Sequence, residues 1–428
     1  MESQIDQSIS TSNYTQLLST YQSAKQSYGQ GNFRTFSAYI IQKSLSTPSF
    51  LPKAFSSPDA MSVFKQALSH LPTSVPNAAD NKLRHALFNH LVEEEEDYRS
   101  AASILSSIRM ETNDENSVYY TTNAEKTDVY VKIAECFLYE EDYVEAETFV
   151  TKAGSSVESI ESPKEHMGLI LRFKSTYARV LDANRKFVQA ASRYYDLSQV
   201  GRRTDSDSNS NSNLNSNSYT NNNTTTTTTN GENENENNAM EIDEDDLLEF
   251  LGRAATCAIL APSSSQRQRI LGLVYKDNRL TQLDSIPHFK THSSIVTKMY
   301  KHQIIQNNSD LTHFVNSLND YQKAIMSDGL TIEQRALIEH NMVAVSRLYK
   351  SIYFDDLGLL LGVSKDKAEK IACKMIVNGN LVGGSVDEVD GILNFDNVED
   401  LELVHWDGEI TSFCMQLNKV TDSVRQNS

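Results

Sequence analysis

Three segments of the chain repeat one pattern at nearly constant spacing. Asp97-Tyr98-Arg99-Ser100-Ala101, Asp142-Tyr143-Val144-Glu145-Ala146 and Lys186-Phe187-Val188-Gln189-Ala190 start 45 and then 44 residues apart. In each, an aromatic is followed three positions later by Ala, and four further on by Leu105, Val150 or Tyr194. Another amphipathic helix precedes each segment, ending near Val92, Phe137 and Leu181. One unit is therefore a helix, a tight polar turn and a second helix whose Ala lets the first approach closely. Such a pair cannot bury its apolar face alone, so neighbours must stack, and the expectation is an α-solenoid of the tetratricopeptide or HEAT-like kind. The run Glu93 to Asp97 reads as a solvated turn rather than a metal site.

Before the repeats, Leu17, Leu18 and Tyr21, then Tyr39, Ile40 and Leu45, recur at helical spacing. They predict short paired helices broken at Pro48, Pro52, Pro58, Pro72 and Pro76. Residues 1–200 are thus expected to be one N-terminal helical-repeat region. From Arg202 to Asn238 the chain is Ser, Asn and Thr almost throughout, and an acidic end follows from Met240 to Asp246. Such a stretch has too little apolar surface to offset ordering entropy, so 202–246 is expected to be a disordered insertion. Helical periodicity resumes with Leu247, Leu248, Leu251, Ala255 and Ile259, which places the insertion in a loop. Further on, Arg267, Arg269, Lys276 and Arg279 alternate with apolar residues and predict a basic amphipathic helix face.

The formal charge of −18 is concentrated in that insertion. Ten acids and no Lys or Arg lie between Thr204 and Asp246, leaving −8 for the rest, so charge gives no case for nucleic acid or an anionic membrane as main partner. Cys136, Cys257, Cys373 and Cys414 form no C-x-x-C pair and are expected to be buried small hydrophobes. The polar start lacks a signal-peptide pattern and no apolar run reaches membrane-spanning length, which predicts a soluble intracellular protein.

Near the C-terminus, residues 331–396 read as a winged helix, with 247–330 as the helices leading into it. Thr331-Ile332-Glu333-Gln334 has capping-box spacing, and Ile338, Met342, Val345 and Tyr349 follow as one buried face. Ile352-Tyr353-Phe354 predicts a short strand. A helix with Leu357, Leu360 and Leu361 comes next, then the turn Gly362-Val363-Ser364. A third helix carries Ala368, Ile371, Ala372, Met375 and Ile376, and Asn378-Gly379 ends it. Leu381-Val382 and Ile392 to Phe395 predict two more strands, with Gly383 to Gly391 between them as the wing. The unit has the order of a DNA-reading winged helix. Yet Asp387, Glu388 and Asp390 make the wing acidic, and it would repel the phosphates it should lie on.

After the wing, Trp406, Ile410, Phe413, Leu417, Val420 and Val424 are spaced 4, 3, 4, 3, 4. This heptad stripe is narrower than an ordinary helix face, and it predicts that 403–428 is a helix for a multi-helix bundle, built with other chains or by folding back on this one. No catalytic constellation appears. His288 and His292 are four apart but lack the Glu of H-E-x-x-H, so they are expected at the surface. The glycines from Gly379 to Gly384 have no following Lys to hold a phosphate.

Several stretches sharpen the picture: Arg335 to Asn341, Tyr353 to Gly358, Lys367 to Ala372, Val389 to Ile392, Tyr177 to Asp182 and Tyr275 to Asp277. With a helical array running into a winged helix and a terminal helix, they resemble the PCI-domain family of the proteasome lid, the COP-nine signalosome and the translation initiation factor complex. The likeness is to the signalosome members, except in the Asn/Thr tract.

The resemblance implies a mostly α fold in which solenoid and winged helix together form a PCI domain. It implies a non-catalytic scaffold, with no metal or cofactor, in the complex that removes Nedd8 from cullins in the cytoplasm and nucleus. Partners would be the other signalosome subunits, both PCI subunits and the metalloprotease-containing pair. Cullin-RING ubiquitin ligases would be met through the complex, with neither nucleic acid nor membrane. Interface candidates are Ile352, Tyr353, Phe354, Leu381, Val382, Ile392 and Phe395 on the winged helix, and the stripe Trp406 to Val424. A proteasome-lid subunit of the same architecture is the alternative, and a winged-helix nucleic-acid-binding regulator a more distant one.

Overall fold

Helix starts in the first ninety residues are set by local chemistry. The computed structural model of the chain describes residues 2–11, 13–47, 50–70, 78–111, 117, 120–160, 162–163, 165–200, 243–306, 309–326, 329–395 and 406–418. Helices α1 (Glu2–Thr11), α2 (Tyr14–Ser27), α3 (Gln30–Ser46), α4 (Leu51–Phe55), α5 (Pro58–His70) and α6 (Ala78–His90) follow one another. The Asn13 side chain accepts the Gln16 N–H and caps α2. Pro52 and Pro58, expected to break helices, instead sit in the first turns of α4 and α5, where a missing N–H costs no hydrogen bond. Pro48, Pro72 and Pro76 lie outside the described residues. The apolar stripes converge on one core that fully buries Ile5, Leu17, Tyr21, Ile40, Phe64, Leu83 and Leu87.

Each repeated segment opens a helix at its aromatic residue. α6 passes through a π-helical turn, Leu91–Glu95, and is followed by α7 (Tyr98–Ser106). α8 (Asn123–Tyr139) precedes α9 (Tyr143–Val157), and α10 (Met167–Ala183) precedes α11 (Phe187–Ser198). Just before α7, α9 and α11, the non-glycine residues Glu96, Glu141 and Arg185 take φ of 52°, 59° and 60°. This left-handed conformation costs roughly 1–2 kcal/mol for a residue with a Cβ, so hairpin packing must hold it. Asp97 and Asp142 cap α7 and α9 by accepting the N–H of Ser100 and Glu145, and Ala101, Ala146 and Ala190 are fully buried.

The chain divides into two compact units, and the boundary falls between Val180 and Leu181 inside α10 rather than near residue 200. The reason is that α11 packs on α12 (Glu244–Leu260), where Tyr194 stacks on Phe250 at 6.4 Å. Residues 202–242 lie outside the described residues. α13 (Ser265–Lys276), a 3-10 turn (Asn278–Ser285), α14 (His292–Tyr300), α15 (Ser309–Ser317), a second 3-10 turn (Asp320–Lys323) and α16 (Ile332–Ser346) complete the helices ahead of the sheet.

Polar residues here depart from the surface roles that the sequence suggested. Arg267 belongs to no basic face: it is buried, and its guanidinium donates to the Ala258 and Ile259 carbonyls that end α12. Arg279 turns to Asp277 and to the Ser198 carbonyl. His292 is buried too, its Nε2 2.9 Å from the Thr256 hydroxyl, whereas His288 is exposed. Conversely, of the four cysteines expected inside, only Cys136 and Cys257 are buried, while Cys373 and Cys414 are exposed.

The winged helix follows as β1 (Ser351–Tyr353), α17 (Phe354–Leu361), α18 (Lys365–Val377), β2 (Gly384–Asp387) and β3 (Ile392–Phe395), with antiparallel sheet order β1-β3-β2. Four details correct the expectation. Tyr349 lies beyond the end of α16 and is 45% exposed, outside the buried face. Phe354 is the first residue of α17, not part of the strand, and is buried. The second strand in chain order is not Leu381-Val382: Leu381 drops into the core, and the chain turns again at Gly383, φ 76°, before pairing from Gly384. The wing shrinks to Glu388–Gly391 as a result. The last described helix, α19, spans 406–418.

Candidate assembly surfaces

Strand register sorts the winged-helix candidates into two faces. Ile352 pairs with Leu393, and Leu393 with Val386, forming an inward row. Tyr353 pairs with Ile392, and Ile392 with Asp387, in the opposite row, since successive strand residues alternate faces. Ile352, Phe354, Leu381 and Phe395 are consequently core residues of the domain, packed with Met342, Val345, Leu357 and Met375. Tyr353 and Val382 are exposed and Ile392 is half-buried, so of the seven candidates these three have side chains that a partner can touch.

The charges around this face are local. Lys365 reaches the Asp355 carboxylate at 3.1 Å, and Asp387 accepts the N–H groups of Val389 and Asp390, which shapes the wing turn. Lys367, Lys370 and Lys374 are exposed on α18, as is Asp366.

Helix α19 exposes every side chain along its length. Trp406 is 62% exposed and Phe413 65%, with Ile410 and Leu417 more than half exposed. Val420 and Val424 lie outside the described residues. With Met415, five large apolar groups on one short helix form a surface of a kind that soluble monomers seldom present.

Two constellations escaped the sequence reading. In the middle of α16, Glu339, His340 and Asn341 are all buried, and each bonds to backbone ahead of the winged helix. Glu339 accepts the Ser263 N–H at 2.9 Å, His340 Nε2 meets the Gln303 carbonyl at 3.0 Å, and Asn341 pairs with Ile305. Burial, reinforced by the Arg267 charge, pushes the His340 pKa down to about 4. The visible signal was three polar residues interrupting an apolar helix.

The second lies around Asp182, at the end of α10. It accepts hydrogen bonds from the Tyr321 hydroxyl and Gln322 Nε2, each at 2.9 Å, while burial raises its pKa. Cys257 and Tyr194 beside it are also raised by burial, so this is a closed, saturated network rather than an open reactive one. Among the described residues no group of His, Cys, Asp and Glu is placed to hold a metal ion, and no helix is long and apolar enough to cross a membrane.

Comparison with known proteins agrees with this layout. Residues 78–205 match the family described as PSMD12/CSN4, N-terminal, and residues 318–397 match the PCI domain. The COP9 signalosome complex subunit 4 of Arabidopsis thaliana is 34% identical over 78% of this chain and 72% of its own length. The Drosophila melanogaster subunit 4 is 33% identical over 78% and 68%, and that of Dictyostelium discoideum 32% over 78% and 70%. The chain belongs to the COP9 signalosome subunit 4 family. The two matched stretches take in the three repeat hairpins and the winged helix, so in this family member α19 lies beyond both.

Proposed function

We propose that the chain is a non-catalytic scaffold subunit of the COP9 signalosome, the complex that removes Nedd8 from the cullins of cullin-RING ubiquitin ligases. The observation that carries this reading is the exposed stripe of α19 in a subunit 4 family member. Covering such a stripe with helices of other subunits removes its apolar surface from water, worth about 25 cal/mol per Å². The winged helix adds a second contact through Tyr353, Val382 and Ile392 and through the strand edges, whose unpaired amides and carbonyls accept a further strand. Its neighbours would be other PCI subunits and the metalloprotease-containing pair, and cullin-RING ligases would be met through the assembled complex, in cytoplasm and nucleus.

Removal of the chain from cells should make Nedd8-modified cullins accumulate, and its return should reverse this. The purified chain alone should cleave no Nedd8 from a cullin, with or without chelator. A chelator-sensitive isopeptidase rate belonging to the isolated chain would overturn the assignment.

A further inference from the structure

Three stretches of the chain, residues 261–276, 285–309 and 340–354, hold no Asp or Glu. The fold brings part of each together in the second unit. Just past the end of α14, His302 Nε2 lies 3.1 Å from Gln268 Nε2 on α13, and the His302 ring stacks on that of His340 on α16, with centroids 6.2 Å apart. Around this junction Arg269, Lys301, Arg347 and Lys350 are exposed.

Their charge is not compensated. Elsewhere in the unit Lys298, Arg335 and Lys365 are paired with Asp310, Glu339 and Asp355. Among the described residues, none of the four cations at the junction has a carboxylate partner. The His302 ring senses this: burial lowers its pKa, the Arg347 and Arg267 charges lower it further, and no carboxylate acts in the other direction. Lys301 and Arg347 each follow a helix end, whose dipole offers about half a unit of negative charge. That offsets part of two charges and leaves Arg269, in the first half of α13, and Lys350, just before β1, unopposed.

Charge complementarity and apolar exposure together choose the occupant. Arg347, Leu348, Tyr349 and Lys350 follow one another, with Leu348 68% and Tyr349 45% exposed. A carboxylate can bond to the cations while a neighbouring apolar group covers Leu348. A nucleic acid supplies anions but no aliphatic partner for Leu348, and its dense phosphates are repelled by the rest of a chain of net charge −18. A short acidic stretch of polypeptide carries both groups.

We infer that this junction docks a segment of a partner protein in which Asp or Glu neighbours a large apolar residue. The surface does not involve α19, and its test does not depend on the scaffold reading.

The probe is a short fluorescein-labelled peptide of alternating leucine and glutamate, titrated with the full chain and read by fluorescence anisotropy. The same peptide with lysine for glutamate serves as comparison. The net charge of the chain favours the lysine peptide, so a preference for the glutamate peptide reports the junction. The glutamate peptide should bind at least about tenfold more tightly, and Arg347→Gln/Lys350→Gln should weaken it about tenfold, each a change of about 1.4 kcal/mol. Leu348→Ser should weaken it as well, whereas Lys367→Gln/Lys370→Gln, an equal loss of charge on α18, should bind as the unaltered chain does. All the substituted side chains are exposed, so the fold should survive, as circular dichroism will show. Equal or reversed preference between the peptides, no saturable binding, an unaffected Leu348→Ser, or equal loss in both double variants would overturn the inference. So would displacement of the labelled peptide by a single-stranded oligonucleotide at lower concentration than by unlabelled peptide, which would make the surface a nucleic-acid site.

Discussion

The side chain of Asn341 satisfies both backbone groups of Ile305. Its Oδ1 accepts the Ile305 N–H at 2.9 Å and its Nδ2 donates to the Ile305 carbonyl at 2.8 Å, with all of these atoms buried. This is the pairing that a neighbouring strand would offer, made instead by one amide on α16. Together with Glu339 and His340, it ties the first helix of the winged helix to the loops that precede it. Replacement by Ala leaves two buried backbone groups without partners, at about 1–3 kcal/mol each. Asn341→Ala should therefore lose about 2–6 kcal/mol in urea denaturation and speed hydrogen exchange at Ile305. A loss under about 0.5 kcal/mol would show that water replaces the amide there.

Acid should weaken the second unit through its buried imidazoles. Burial lowers the pKa of His292 and of His340 to about 4, from 6.5. Both stay neutral in the folded chain where the unfolded chain already takes up protons, so stability is full above pH 6.5 and falls toward pH 4. The shifts correspond to about 3 kcal/mol each at the acid end. Asp182, whose pKa is raised by burial, acts with the opposite sign, so the comparison must be between variants. His292→Asn with His340→Asn should flatten the dependence of the urea midpoint between pH 6.5 and 4. An unchanged slope would mean that other groups govern it.

The winged-helix sheet offers a paired contrast. Leu393 is fully buried in the inward row and Tyr353 is exposed in the outward one. Leu393→Ala should cost about 2–5 kcal/mol. Tyr353→Ala should stay within about 0.5 kcal/mol in the isolated chain and show its effect on assembly. Comparable destabilisation by both would mean that Tyr353 belongs to the chain's own core.

The repeat turns carry their own prediction. Glu141 sits at φ 59°, where a β-branched side chain is strongly disfavoured. Glu141→Val should destabilise the first unit by about 1–2 kcal/mol, seen as a lower thermal midpoint, while Glu141→Ala should do less harm. Equal behaviour would indicate that the turn relaxes out of the left-handed region.

Much of the fold was legible because it rests on periodic patterns. Aromatic and Ala positions located the second helices of the hairpins to the residue, and the Thr331 box and the Gly362 and Gly379 caps located α16, α17 and α18. What was not legible depends on tertiary context. Phe354 and Leu381 resemble strand residues by composition, yet core packing claims them, and Arg267 and His292 became interior only because α12 supplied carbonyls and a hydroxyl. Register likewise decided which interface candidates face outward, because a shift of one residue exchanges the faces of a strand.

The central claim is that α19 is an assembly surface of a scaffold subunit, and native mass spectrometry of the affinity-purified, tagged chain tests it most directly. The unaltered chain should bring down a multi-subunit particle containing a metalloprotease subunit. Phe413→Asp with Leu417→Asp should emerge as a lone chain with an unchanged denaturation curve, because both side chains are exposed in the chain itself. Recovery of proteasome ATPases, or of an intact particle from the double variant, would contradict the account.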